Sequence, residues 1–214
     1  MNLLFCTGLV NSTEAWRERY RPWAEHHRNR IDSDTIFIID DGGTHMPDDS
    51  DVSVVSVPPD APERDRIYLL RFADRLGRRG QFDFPGWWRS FEAGIGLAQR
   101  YDATRLIHVE SDARVLSDRL ARALSQAAKG WVALWCPSYR VPEPSIQVIH
   151  RDSLPAASGF AAQRPKLDMA GKGPELLLPF TSVEQRLIGD RYAEFGRTVP
   201  EGADYACQIF GSGQ

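Results

Sequence analysis

The sequence has no apolar run approaching the roughly 18 residues of a membrane-spanning helix. Its N-terminus, MNLLFCTGLV, has no basic leader and no A-x-A-like site after it, so it reads as a first strand rather than a signal peptide. Cysteine is scarce. Cys6, Cys136 and Cys207 are odd in number and far apart, which speaks against a disulfide framework or a zinc site and for reduced thiols in a cytoplasmic protein. Positive charge is not in excess: the net charge of −3 excludes a general nucleic-acid binder. Internal repeats, low-complexity tracts, a G-x-x-x-x-G-K phosphate loop and a G-x-G-x-x-G turn after the first strand are all missing. What is present is a 214-residue chain, 42% hydrophobic, long enough for one large domain with a sizeable core.

The order of patterns is informative. Strand signals fall at 2–6, 35–39, 51–57 and 105–109, each a short apolar or β-branched run. Helical stripes separate them. Trp16, Tyr20, Trp23 and His27 share one face, with Asn11 and Glu14 placed as a cap; Trp88, Phe91, Ile95 and Ala98 share another. Leu69, Phe72, Ala73 and Leu76 also match helical spacing, and 116–128 reads as a helix capped near Ser117. Further on, WVALWCPSY and SIQVIH read as two strands joined by a proline-rich turn. Residues 156–179 read as a long flexible loop, 183–195 as a final helix stopped by Gly196, and the tail as flexible. Alternating strand and helix predict a single α/β domain, a mainly parallel sheet with helices on both faces, whose ligands bind at the carboxyl ends of the strands.

Two acidic motifs fall at such ends. In LIHVESDARV the run closes on Glu110-Ser111-Asp112. In an extended segment residues two apart point the same way, so both carboxylates can face one hard cation such as Mg²⁺ or Mn²⁺. In IIDDGG the run closes on Asp40-Asp41, where a carboxylate could accept hydrogen bonds from a ribose or base and the glycines allow close approach. Each motif alone also fits a polar strand end or turn.

As an ordered set, strand, helix, IIDDGG, strand, and then GWWRSFEAGIGLAQRYDATRLIHVESDARV resemble the nucleotide-sugar-binding half of GT-A-fold glycosyltransferases, most closely the inverting group called family 2. The likeness covers about residues 2–116, so residues 1–116 would form the nucleotide-sugar half and 117–214 the acceptor-side half of one GT-A-like (Rossmann-like) domain. Gly43 stands where that family usually has serine, Glu110 where it has aspartate and Glu92 where asparagine is common; Arg89 is displaced by about two positions.

The resemblance implies a metal-dependent transferase, inverting in outcome, that uses a nucleoside-diphosphate sugar, Mn²⁺ or Mg²⁺, and an unidentified glycan, lipid-linked or protein acceptor. A lipid-linked acceptor would place the protein peripherally at the inner membrane face. It assigns Asp41 and Asp40 to base or ribose, Asp112 to the metal, Glu110 to metal, ribose or donor sugar, and Arg89 to the diphosphate. Glu184 is the candidate base that deprotonates the acceptor, although Thr181-x-x-Glu184 equally fits a capping box. Asp190 reads rather as an exposed helix charge and Asp168 as a loop residue. His150, closing SIQVIH, is a candidate late metal ligand; His108 reads as packed, and Trp87-Trp88 as core or as a stacking platform. Two other readings stay open: a GT-A-like protein that binds nucleotide sugar without turnover, and a metal-dependent nucleotidyltransferase.

Overall fold

The structure, a computed structural model, describes residues 1–209. In chain order its strands are β1 (Asn2–Gly8), β2 (Thr35–Asp40), β3 (Val52–Val55), β4 (Ile67–Arg71), β5 (Arg105–Val109), β6 (Arg114–Val115), β7 (Trp131–Cys136), β8 (Val141–His150), β9 (Ser182–Glu184), β10 (Gly189–Asp190) and β11 (Tyr205–Ala206). Among the described residues eight of these build one sheet in the order β3-β4-β2-β1-β5-β8-β7-β9, and β10-β11-β6 form a small second sheet. β1 to β5 run parallel, and β8 alone reverses direction, pairing antiparallel with β5 and β7.

The continuous apolar runs of β1 and β2 are those of strands buried on both faces. Leu4, Cys6, Ile36 and Ile38 point to one side and pack with Trp23 and Leu120. Leu3, Phe5, Phe37 and Ile39 point to the other and pack with Trp88, Phe91 and Ile95. The first side is covered by α1 (Thr13–Ala15), a five-residue π turn (Trp16–Tyr20), α2 (Arg21–Arg28) and α4 (Asp118–Ser125). The second is covered by α3 (Pro85–Arg100) and α5 (Leu154–Gln163), with a short α6 (Pro174–Leu177) further along. The expected α/β sheet with helices on both faces is therefore what forms. Ser117 does cap its helix, its Oγ accepting from Leu120 N at 3.1 Å. At the first helix the cap is Ser12 rather than Asn11: Ser12 Oγ accepts from Ala15 N at 3.0 Å. Among the described residues no helix is long and apolar enough to cross a membrane.

Three expectations fail. The stripe from Leu69 to Leu76 is not a helix; Ile67, Tyr68, Leu69 and Leu70 are buried in succession within β4, inserted between β2 and β3. Residues 156–179 are not one loop: α5 takes their first part, beginning with Pro155 in its first turn, where a missing N–H costs nothing. Residues 183–195 are not a helix. They supply β9, β10 and a 3₁₀ turn at Tyr192–Phe195, because Val183 and Glu184 pair with β7 and Gly189 lies flush against the Tyr205 ring. The tail, residues 210–214, lies outside the described residues.

The tightest helix-to-sheet approach is at Gly94, where a Cβ would stand 2.6 Å from the Phe5 ring. Gly94→Ala should lower the free energy of unfolding by about 1–3 kcal/mol through overpacking. Gly96→Ala, two residues on with open space around it, should raise it by roughly 0.5–1 kcal/mol by helix propensity. Urea denaturation of both variants checks the pair; equal effects would contradict the packing described.

Candidate functional site

The carboxyl ends of β1 and β5 lie side by side. Phe5 is level with His108, and that register carried two residues on brings Thr7 beside Glu110. Thr7 Oγ1 donates to the Glu110 carboxylate at 2.8 Å, the Trp87 indole N–H donates to it from the first turn of α3, and His108 Nε2 lies 3.1 Å away. Gln147 Nε2 and the Pro144 carbonyl each stand 3.2 Å from His108 Nδ1 and fix the imidazole on its far side. Phe5 and Phe91 close round the imidazole at ring distances of 4.6 and 5.2 Å. Burial pushes the Glu110 carboxyl up, but His108, Trp87 and Thr7 outweigh it and hold it below the ordinary carboxylate range.

Asp112 is held differently. Its side chain is 16% exposed against 13% for Glu110, and it faces Arg19 Nη2 at 3.7 Å, beyond hydrogen-bond range. Burial raises its pKa, Arg19 lowers it, and Glu110 and Glu143 raise it again, to about 6. Glu143 itself is fully buried in β8, beside the register shift opposite Ala133/Leu134, and pairs with Arg191 at 2.7 Å. Asp112 is thus the acid whose charge the protein compensates least completely. Among the described residues no three His, Cys, Asp or Glu side chains converge into a metal-holding group. The donor chemistry nonetheless fits a hard cation held by Asp112, whose remaining ligands would be phosphate oxygens and water, as Mg²⁺ commonly is.

The other candidates fall elsewhere. Asp40 is fully buried and accepts from Val10 N (2.9 Å), Gly43 N (3.2 Å) and Arg71 Nε (2.7 Å), which leaves it no surface to offer a nucleotide. It fastens the loops after β1 and β2. Asp41 and Arg89 are brought together, but on each other. Asp41 accepts from Gly77 N at 2.7 Å and from Arg89, whose guanidinium also holds Asp74 and lies 4.1 Å from the centre of the Phe72 ring. Gly86, in the first turn of α3, leaves room for Asp41 that any side chain would take.

His150 is at the wrong end for a shared metal. β8 runs antiparallel to β5, so His150 pairs with Arg105 at the start of β5, five residues or about 17 Å along the strand from Glu110. Its ring instead meets Asp152 at 3.0 Å. Glu184 lies in β9, not at a helix start, so the capping-box reading fails with the helix. Arg186 bonds both its oxygens, at 2.9 and 2.6 Å, and with its own backbone N–H holds the Glu184 carboxyl at about 2, which weakens it as a proton acceptor. Asp190 is buried, not exposed, and bonds Arg197 at 2.9 Å. Asp168 stays on an exposed turn.

No protein-family model and no curated protein sequence matches the chain. One similar solved structure is described as the crystal structure of a glycosyltransferase involved in the glycosylation of the major capsid of PBCV-1. It has a TM-score of 0.49 and 8% identity, and the match covers 98% of this chain and 95% of that one. A likeness of that degree decides nothing about activity.

Thr7, Arg19 and Glu143 surround the acidic pair although their sequence contexts did not mark them. Trp87 could have been singled out from its twin by helical phase, since Trp88, Phe91 and Ile95 define the core stripe and Trp87 falls beside it. A consequence can be measured. Asp112 titrates near 6 in the folded chain against 3.8 unfolded, so its charge costs stability above pH 6, and that cost vanishes below about pH 4. Asp112→Asn should therefore be more stable than the parent at pH 7.5, by up to about 3 kcal/mol, and no more stable at pH 4. Thermal or urea melts at the two pH values check it; a loss of stability at pH 7.5 would contradict the burial argument.

Proposed function

We propose that the protein is a glycosyltransferase that takes a nucleoside-diphosphate sugar with a divalent cation at Asp112. The observation that carries this reading is the acidic pair. Glu110 and Asp112 stand at the carboxyl end of a central parallel strand, one clamped by Thr7, Trp87 and His108 and the other facing a guanidinium beyond hydrogen-bond range. Ligands of open α/β sheets bind at that edge. The ordered motif resemblance, running from IIDDGG to HVESDARV, supplies the substrate class.

Bound there, Mn²⁺ or Mg²⁺ would neutralise charge on the leaving diphosphate. Asp112 would hold the cation directly. Glu110, clamped by Thr7 and Trp87, is fixed in place and suited to accept hydrogen bonds from a ribose or sugar hydroxyl. Asp40, Asp41 and Arg89 act on this reading by shaping the loops around the donor rather than by gripping it. An inverting course needs a carboxylate base, and Glu184 could serve only after Arg186 releases it. The acceptor, whether glycan, lipid-linked or protein, lies outside what these residues specify.

A thermal-shift screen of UDP, GDP, CDP and ADP, each with and without Mn²⁺, tests the proposal. At least one should raise the melting temperature in a Mn²⁺-dependent way, since a ligand that binds only the native state stabilises it. Asp112→Asn should abolish that increment while leaving a cooperative melt. The absence of any metal-dependent shift across the four would sink the reading. Donor hydrolysis releasing nucleoside diphosphate separates a transferase from a protein that only binds, and release of pyrophosphate would instead mark a nucleotidyltransferase.

A further inference from the structure

The first helix carries a feature the proposed chemistry has not used. Between α1 and α2 the chain makes a π turn at Trp16–Tyr20, a rare geometry that recurs at functional sites. Its ends are fixed by the core. Trp16 and Tyr20 are both buried, Trp16 Nε1 donates to Asp49 at 2.6 Å, and the Tyr20 hydroxyl accepts from Leu9 N at 2.7 Å. Between these anchors the turn directs Arg19 toward the chain that follows β5. Arg19 Nε donates to Ser111 Oγ at 2.9 Å and Nη2 faces Asp112 at 3.7 Å, while 30% of the side chain remains exposed. Ser111 is itself buried, and its carbonyl accepts from Arg114 Nη1 at 3.1 Å, so a second guanidinium borders the same turn.

A cation parked beside the carboxylate proposed to bind metal has a clear electrostatic consequence. In the absence of the metal it compensates Asp112; in its presence the two positive charges repel and only one can stay. We propose that Arg19 is an exchangeable counter-ion: it holds the position beside Asp112 in the resting protein, yields it to the divalent cation, and then pairs with the terminal phosphate of the nucleoside diphosphate. This rests on the nucleotide-sugar reading and adds a residue to it. Arginine suits the second task because its planar fork matches phosphate oxygens. Ser111 is the pivot, holding Nε while the other two nitrogens change partner.

The role predicts effects of opposite sign, which a merely structural arginine would not produce. In Arg19→Gln, Mn²⁺ alone, followed by the electron paramagnetic resonance of the free ion, should bind about fivefold tighter, because a competing charge is gone. The same variant should bind UDP, GDP, CDP or ADP, whichever the parent takes with saturating Mn²⁺, about tenfold more weakly by calorimetry. Arg19→Lys, charged but unforked, should fall between on both counts, and Ser111→Ala should move both affinities in the direction of Arg19→Gln to a smaller extent. Unchanged or weaker Mn²⁺ binding by Arg19→Gln, or unchanged diphosphate binding, overturns the exchange. If the parent binds Mn²⁺ and a diphosphate but Arg19→Gln behaves like it, only this role is lost; if the parent binds neither, the function proposed above falls with it.

Discussion

The buried carboxylate of Glu110 sets the constraint on which the site depends. A charge taken that far from water must be met by donors, or the fold bears its desolvation. Two donors and a close imidazole meet it from three elements: Thr7 at the end of β1, Trp87 in the first turn of α3 and His108 within β5. His108 is in turn oriented by Gln147 on β8 and boxed by Phe5 and Phe91. One acid therefore ties the central strands to the helix across them. Removing one partner would leave the others facing an under-compensated charge, which costs more than the lost bond.

Asp112, two residues on, is governed by the opposite logic. Its backbone is pinned, the carbonyl accepting from Ile209 N at 3.0 Å, and the small sheet of β6, β10 and β11 fixes the chain just beyond it. That sheet is fastened by its own buried acids, Asp204 to Arg119 and Asp190 to Arg197. The carboxylate itself is left near Glu110 and Glu143 with Arg19 at 3.7 Å, so a rigid frame presents a poorly neutralised group. Rigidity around a locally unfavourable charge is a form of pre-organisation, and on the function proposed above the stability given up at Asp112 would become binding energy for a cation.

Much of this was legible in the order of residues. Short unbroken runs such as NLLFC and IFIID, bounded by turn residues, read as strands covered on both faces, and the phase of Trp88, Phe91 and Ile95 marks the buried side of α3. Where the reading failed, a local pattern had two solutions. Leu69, Phe72, Ala73 and Leu76 satisfy a helical period, yet the slot between β2 and β3 accepts Ile67 to Leu70 as a strand, and sheet pairing outweighs the stripe. Residues 183–195 look helical until β7 and β11 offer them edges to pair with. Within the site, Asp40 and Asp41 are as acidic on paper as Glu110 and Asp112, and only their neighbours separate the roles.

The sequence by itself determined the fold class, the positions of the central strands and the fact that acids close two of them, because burial on both faces and period-2 alternation are local properties of the chain. Tertiary structure alone decided which acid is sealed, which is clamped and which is left with a more distant counter-charge. That choice depends on partners far away in sequence: Arg71 for Asp40, Arg89 for Asp41, Thr7 for Glu110 and Arg19 for Asp112. It also set His150 apart from the acidic pair, since an antiparallel β8 carries its last residue to the opposite end of the sheet. The charge state and availability of a carboxylate are set by what surrounds it in space, and no spacing rule along the chain encodes that.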